Sequence, residues 1–131
     1  MSKPSDRTKP SNAKTSKVRA QRRGRWAEGL TALYLRLTGH RVIARNYKTK
    51  VGEIDLIARR QNILSFIEVK ARADADAAAE AITLRQRQRI QRASEMFLIQ
   101  NPAFQTCDIR FDVALVTSRL RLTFLRDAWR P

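Results

Sequence analysis

Two short apolar segments, Glu53 to Ala58 and Ile63 to Val69, constrain this chain more than any other feature, because each is rich in Ile, Val, Leu and Phe yet interrupted by carboxylates. Only Arg59, Arg60, Gln61 and Asn62 separate them, so they read as the two arms of a β-hairpin. Side chains two apart on a strand point the same way, which puts Glu53 with Asp55 and Glu68 with Lys70. With Gln61-Asn62 as a two-residue turn, Asp55 falls opposite Glu68 and Glu53 opposite Lys70. Moving the turn to Arg60-Gln61 keeps Asp55 and Glu68 on one face, displaced diagonally. Either register brings the two acids to about 4.5 to 8 Å between β-carbons.

Facing like charges on a semi-buried sheet destabilise it, and an unpaired buried charge typically costs several kcal/mol. A hard divalent cation offsets that cost, since Mg²⁺ or Mn²⁺ takes one or two carboxylates, waters and a substrate phosphate. Asp55 and Glu68 are therefore the expected metal ligands and Lys70 the ammonium that orients a nucleophile or neutralises a phosphorane. The competing reading is a solvated hairpin on which Glu53 pairs with Lys70 and Asp55 with an arginine, an arrangement nearly neutral in stability.

Around the hairpin, apolar residues at Trp26, Ala27, Leu30, Leu33, Tyr34 and Leu37 predict an amphipathic helix with Gly39 just past its end. Glu28 lies opposite that stripe on a helical wheel, so periodicity places it in solvent. Val42, Ile43 and Tyr47 sit in an extended stretch leading to Gly52. Thr83 and Gln86 form a capping-box pattern, which starts a second helix at Leu84 and carries it to about Gln100. Alternation at Ile109, Phe111, Val113 and Leu115, and again at Leu120, Leu122 and Phe124, predicts two more strands. Trp26, Phe97 and Trp129 are expected in the core, Arg110 and Asp112 are expected to pair along one strand face, and His40 and Cys107 read as structural.

Charge then narrows the partner. The chain has 131 residues and a formal net charge of +15, of which +8 falls in residues 1 to 25 and +7 in the remainder. Both the tail and the domain therefore favour a polyanion, with nucleic acid the commonest. Residues 1–23 hold almost no aliphatic side chains and read as a disordered basic arm, leaving 24–131 as one domain. Arg85, Arg89 and Arg92 recur along one helical edge, which reads equally as a solvated face or as a surface for phosphates without base specificity. One cysteine and one histidine exclude an intramolecular disulfide and a zinc site built from those residues alone. The absence of a long apolar run predicts no membrane span and no secretory signal, hence a cytoplasmic location.

These residues also resemble a family. Ala27-Glu28, Gly39, Asn46, Gly52-Glu53-Ile54-Asp55, Phe66-Ile67-Glu68-Val69-Lys70, Arg89 and Arg110-Phe111-Asp112 are similar to the YraN-like proteins, small bacterial proteins that look like Holliday-junction resolvases of the PD-(D/E)XK nuclease superfamily. The resemblance implies an α/β, restriction-endonuclease-like αβββαβ core with a mixed sheet flanked by helices. It implies Asp55, Glu68 and Lys70 at the catalytic positions, Glu28 as an additional helix-borne acid, and Ile54 where the namesake proline would stand. Gln86 stands where relatives usually carry lysine, and the segment Ala73 to Ala79 is short and lacks the usual glycine, so a basic contact is either lost or shifted to Arg85.

The expected activity is Mg²⁺- or Mn²⁺-dependent hydrolysis of structured or branched DNA, with Asp55, Glu68, Lys70 and Glu28 catalytic and Arg72, Arg85, Arg89 and Arg92 on the nucleic acid. A resolvase is expected to act as a homodimer so that two strands are cut. Two other readings are a catalytically inactive nucleic-acid-binding module and a basic accessory protein that meets RNA or ribosomes. DNA is favoured over RNA through the resemblance.

Overall fold

A computed structural model describes residues 25–72, 82–117 and 121–131. The basic arm at 1–23 and the segment 73–79 lie outside the described residues. The first helix, α1, is described over residues 25–37. It ends in a Schellman motif: the His40 N–H donates to Leu35 O (2.8 Å), the Gly39 N–H to Arg36 O (3.3 Å), and Gly39 adopts φ 87°. Glycine takes that left-handed conformation without a Cβ penalty.

Three antiparallel strands follow, β1 (Arg41–Lys48), β2 (Glu53–Arg60) and β3 (Ile63–Arg72). The hairpin pairs Leu56 with Ile67 and Arg60 with Ile63, so the turn is Gln61-Asn62, the first of the two registers considered above. Gln61 takes φ 54°, as a two-residue turn demands. The polypeptide then crosses over through α2 (Leu84–Gln100) and a 3₁₀ turn (Pro102–Phe104) to β4 (Asp108–Thr117), which runs parallel to β3. Strand β5 (Leu122–Trp129) returns antiparallel to β4. The sheet order is β1-β2-β3-β4-β5, a restriction-endonuclease-like αβββαβ succession lengthened by one edge strand.

The expected capping box starts α2: the Gln86 N–H donates to Thr83 Oγ1 and the Thr83 N–H to Gln86 Oε1, each at 3.1 Å. Ile90, Ala93 and Phe97 of α2 pack on Ile54, Ile57, Leu64, Phe66, Phe111 and Val113. Phe66 meets Phe97 edge-on and stacks on Phe111, and Trp129 stacks on Phe111 in turn. Helix α1 covers the opposite face through Ala32 and Leu35 against Leu56, Ala58, Ile67 and Ala114. Burial on both faces explains why the central strands are nearly continuous apolar runs.

Helix α1 corrects the wheel. Its buried side is Ala27, Glu28, Thr31, Ala32 and Leu35, while Trp26 is 51% exposed, Leu37 77% exposed, and Leu33 and Tyr34 are also exposed. Trp26 is thus outside the core, whereas Phe97 and Trp129 are inside as expected. Small residues let the helix backbone approach the sheet closely. Thr31 tolerates burial because its hydroxyl donates to Ala27 O at 2.7 Å. Among the described residues, Tyr34 alone of the expected stripe finds an aromatic partner, stacking on Phe124 of β5. Among the described residues, no helix is long and apolar enough to cross a membrane.

Candidate active site

The carboxylates sit where the β2–β3 ladder stops. Paired residues run from Arg60↔Ile63 only as far as Leu56↔Ile67. Beyond that point the Val69 N–H, which faces β2, donates to Asp55 Oδ2 at 2.8 Å instead of to a backbone carbonyl. Alternation also breaks here, since Ile54 belongs to the core under α2 but Leu56 to the core under α1. On β1, Asn46 occupies the rung between Arg45↔Leu56 and Tyr47↔Ile54 and takes φ 51°. The irregularity at Asn46 and Asp55 therefore re-aims both side chains at one rung.

Asp55 and Glu68 come within hydrogen-bonding reach of each other, and Lys70 Nζ lies 3.3 Å from Glu68 Oε1. The Glu68 and Lys70 side chains are only 16% and 12% exposed. Burial, followed by the Asp55 charge, pushes the Glu68 carboxyl up to about 7 against the opposing pull of Lys70. Burial likewise raises Asp55 above the ordinary carboxylate range, with the Val69 N–H the largest opposing influence. The alternative of separate surface ion pairs is not what forms: Lys70 pairs with Glu68 rather than Glu53, and Asp55 is held by a backbone amide rather than an arginine.

Glu28 is buried, at 5% exposure, against the prediction of the wheel and in line with the family resemblance. Its Oε1 accepts from Asn46 Nδ2 at 3.0 Å and from Arg45 Nε at 3.4 Å. Burial first, and the Asp55 charge second, raise its pKa, so Glu28 senses Asp55 while β1 holds it in place. The sequence alone did not single out Arg45, and it gave Asn46 only through the resemblance. The signal for Asn46 is residue type, since Asn enters the left-handed region more easily than most side chains.

The donor set at this point is carboxylate oxygen throughout, which suits a hard cation such as Mg²⁺ or Mn²⁺. Among the described residues, no three of His, Cys, Asp and Glu converge closely enough to wrap a metal ion. Two carboxylates with the remaining positions open to water and phosphate is nonetheless the usual Mg²⁺ arrangement, and Asp55 and Glu68 fit it. Glu28, tied to Arg45 and Asn46, stands behind them.

Helix α2 is pressed against the acid-bearing end of β2. A Cβ on Gly52 would lie 2.2 Å from the Arg89 carbonyl oxygen, so only glycine permits this approach. Thr49 closes the turn around Gly52, its Oγ1 accepting the Gly52 N–H at 3.0 Å and donating to Gly52 O at 2.8 Å. Arg85, Arg89 and Arg92 are all exposed on α2, and Arg72 is exposed at the end of β3. Arg110 and Asp112 pair as expected, with Arg110 Nε 2.9 Å from Asp112 Oδ1, and Cys107 is buried in the α2-side core.

Comparison with known proteins places these features in a lineage. The model of an uncharacterised protein family, UPF0102, matches residues 27–116. A UPF0102 protein of Paramagnetospirillum magneticum is 47% identical over 115 residues, covering 85% of this chain and 89% of the relative. One from Parvibaculum lavamentivorans is 51% identical over 112 residues, covering 86% and 84%. One from Bradyrhizobium diazoefficiens is 44% identical over 119 residues, covering 91% and 90%. With its matched region spanning α1 to β4, this chain belongs to the UPF0102, or YraN-like, family.

Proposed function

We propose that this protein is a divalent-metal-dependent nuclease that hydrolyses phosphodiester bonds in DNA in the cytoplasm. The observation that carries the reading is the meeting of two half-buried acids, Asp55 and Glu68, with Lys70 at the end of a broken strand ladder. Asp55 and Glu68 would hold the cation, Mg²⁺ or Mn²⁺. Bound there, the ion would make a coordinated water more acidic and would stabilise charge on the scissile phosphate.

The Val69 N–H fixes the Asp55 carboxylate, so its orientation does not depend on the cation. The Lys70 ammonium, 3.3 Å from Glu68, would neutralise the developing phosphorane or orient the attacking water. Glu28 adds negative potential behind Asp55, and Arg45 and Asn46 keep it there. Arg72, Arg85, Arg89 and Arg92 hold backbone phosphates and carry no base information, which suits recognition of structure over sequence. The preference for branched DNA follows from the family's likeness to resolvases, and paired cuts there call for a homodimer.

The test is cleavage of duplex, single-stranded, flap and four-way DNA with Mg²⁺ or Mn²⁺. Asp55→Ala and Lys70→Ala are expected to abolish metal-dependent cleavage while DNA affinity stays largely intact. Equal cleavage by wild type and both variants removes the enzyme reading. Inactivity of the wild type on every substrate favours a binding module that retains the fold.

A further inference from the structure

At the opposite end of the hairpin from the carboxylates, positive charge gathers around a cavity of about 150 Å³ lined in part by His40, Arg60, Ser65, Arg110 and Arg126. Five parts of the chain contribute: the end of α1, β2, β3, β4 and β5. Ser65 is buried, and its hydroxyl accepts from Arg110 Nη2 at 3.4 Å. Arg110 is fully engaged, with three hydrogen bonds of 2.9 to 3.2 Å to Asp112, which is itself 2% exposed. Its charge is therefore offset within the fold.

Arg60 and Arg126 are different. Neither takes part in an ion pair among the described residues, and Asp127, next to Arg126, is committed to Arg130 at 2.8 Å. Two guanidinium charges thus converge on the cavity without a protein counter-charge. His40 reports the same convergence: burial lowers its pKa most, a Leu35 backbone hydrogen bond opposes, and Arg60, Arg126 and Arg110 each lower it further. An anion seated there meets the positive potential of both guanidinium groups.

We propose that this cavity binds a phosphate monoester dianion. Its volume holds about five waters at about 30 Å³ each, enough for one phosphate group and part of its hydration. The two uncompensated arginines match the charge of a monoester, which carries close to two negative charges at neutral pH, whereas a diester carries one. Guanidinium forks from two strands suit the tetrahedral oxygens, and Ser65 with the anchored Arg110 forms the wall behind them. Along β3 the pocket lies about 10 Å from Glu68, three residues at about 3.3 Å each, so it is separate from the acid cluster and does not depend on the nuclease reading.

His40 is the only histidine in the chain, so its imidazole resonances are a unique reporter. Titration of the full-length protein with inorganic phosphate, at constant ionic strength set with chloride, is expected to shift those resonances saturably and to raise the His40 pKa. The double variant Arg60→Ala/Arg126→Ala, at two exposed positions, is expected to weaken phosphate binding about tenfold or more. A second arm compares short oligonucleotides with and without a 5′-phosphate. Tighter binding of the phosphorylated strand, lost in the double variant, identifies a nucleic-acid end as the source. Equal binding of the two strands, with inorganic phosphate still bound, identifies a small phosphomonoester. His40 resonances that respond to chloride and phosphate alike, or phosphate affinity unchanged in the double variant, overturn the proposal.

Discussion

Replacing Glu68 by glutamine removes the charge that the fold resists most, and it is expected to stabilise the metal-free protein at alkaline pH. Glu68 titrates at about 7 in the folded chain against an ordinary value of 4.5. A carboxyl whose folded pKa is raised favours the native state in its protonated form. Its contribution is therefore full below pH 4.5 and is lost as pH climbs through about 7. The difference of 2.5 units corresponds to a ceiling of about 3.4 kcal/mol at about 1.36 kcal/mol per unit. Partial exposure and the sharing of charge with Asp55 and Lys70 reduce this to about 1 to 2 kcal/mol. Urea denaturation in EDTA from pH 5 to 8.5 measures it: Glu68→Gln and wild type converge near pH 5, and the variant leads by that margin at pH 8. A variant less stable than wild type at both pH values would mean that Glu68 is held as a structural partner of Lys70, with no excess charge left for a cation to offset.

The same balance predicts that Mg²⁺ or Mn²⁺ raises the melting temperature of wild type at pH 8 but leaves Asp55→Asn and Glu68→Gln unmoved, as thermal unfolding with and without EDTA will show. Gly52→Ala drives a methyl group into the Arg89 carbonyl and is expected to cost about 1 to 3 kcal/mol in chemical denaturation, with DNA affinity falling as α2 shifts. Asn46→Gly preserves the left-handed backbone but removes a hydrogen bond to a buried carboxylate. It is expected to cost about 1 to 3 kcal/mol, and Glu28→Gln made on top of it is expected to recover part of the loss.

The hairpin is readable because a strand repeats every two residues and a short turn leaves little choice of register, so spacing puts Asp55 and Glu68 on one face, directly or diagonally opposed. Helix α2 was readable because Thr83 and Gln86 declare its start. The apolar pattern of helix α1 points to the wrong face. A wheel weights bulky residues, yet the contact with the sheet is made by Ala27, Thr31, Ala32 and Leu35, and the orientation places Glu28 beside Arg45 and Asn46. Partners 17 and 18 residues away leave no trace in a local period. The break at Asn46 and Asp55 was hidden for a related reason, since a single left-handed residue changes which way a side chain points without changing composition. His40, Arg60 and Arg126 belong to different elements and share no spacing, so their convergence emerges only once the sheet is assembled.

Strand β3 joins β2 across a two-residue turn but joins β4 at Ile63↔Asp108, partners 45 positions apart. Loop closure makes the second pairing the slower one, so during folding β3 spends an interval with an open edge. That edge carries Ile63, Leu64, Phe66, Ile67 and Val69, a run prone to pair with other copies. Glu68 and Lys70 interrupt the run with opposite charges, and so act as gatekeepers against aggregation before the sheet is complete.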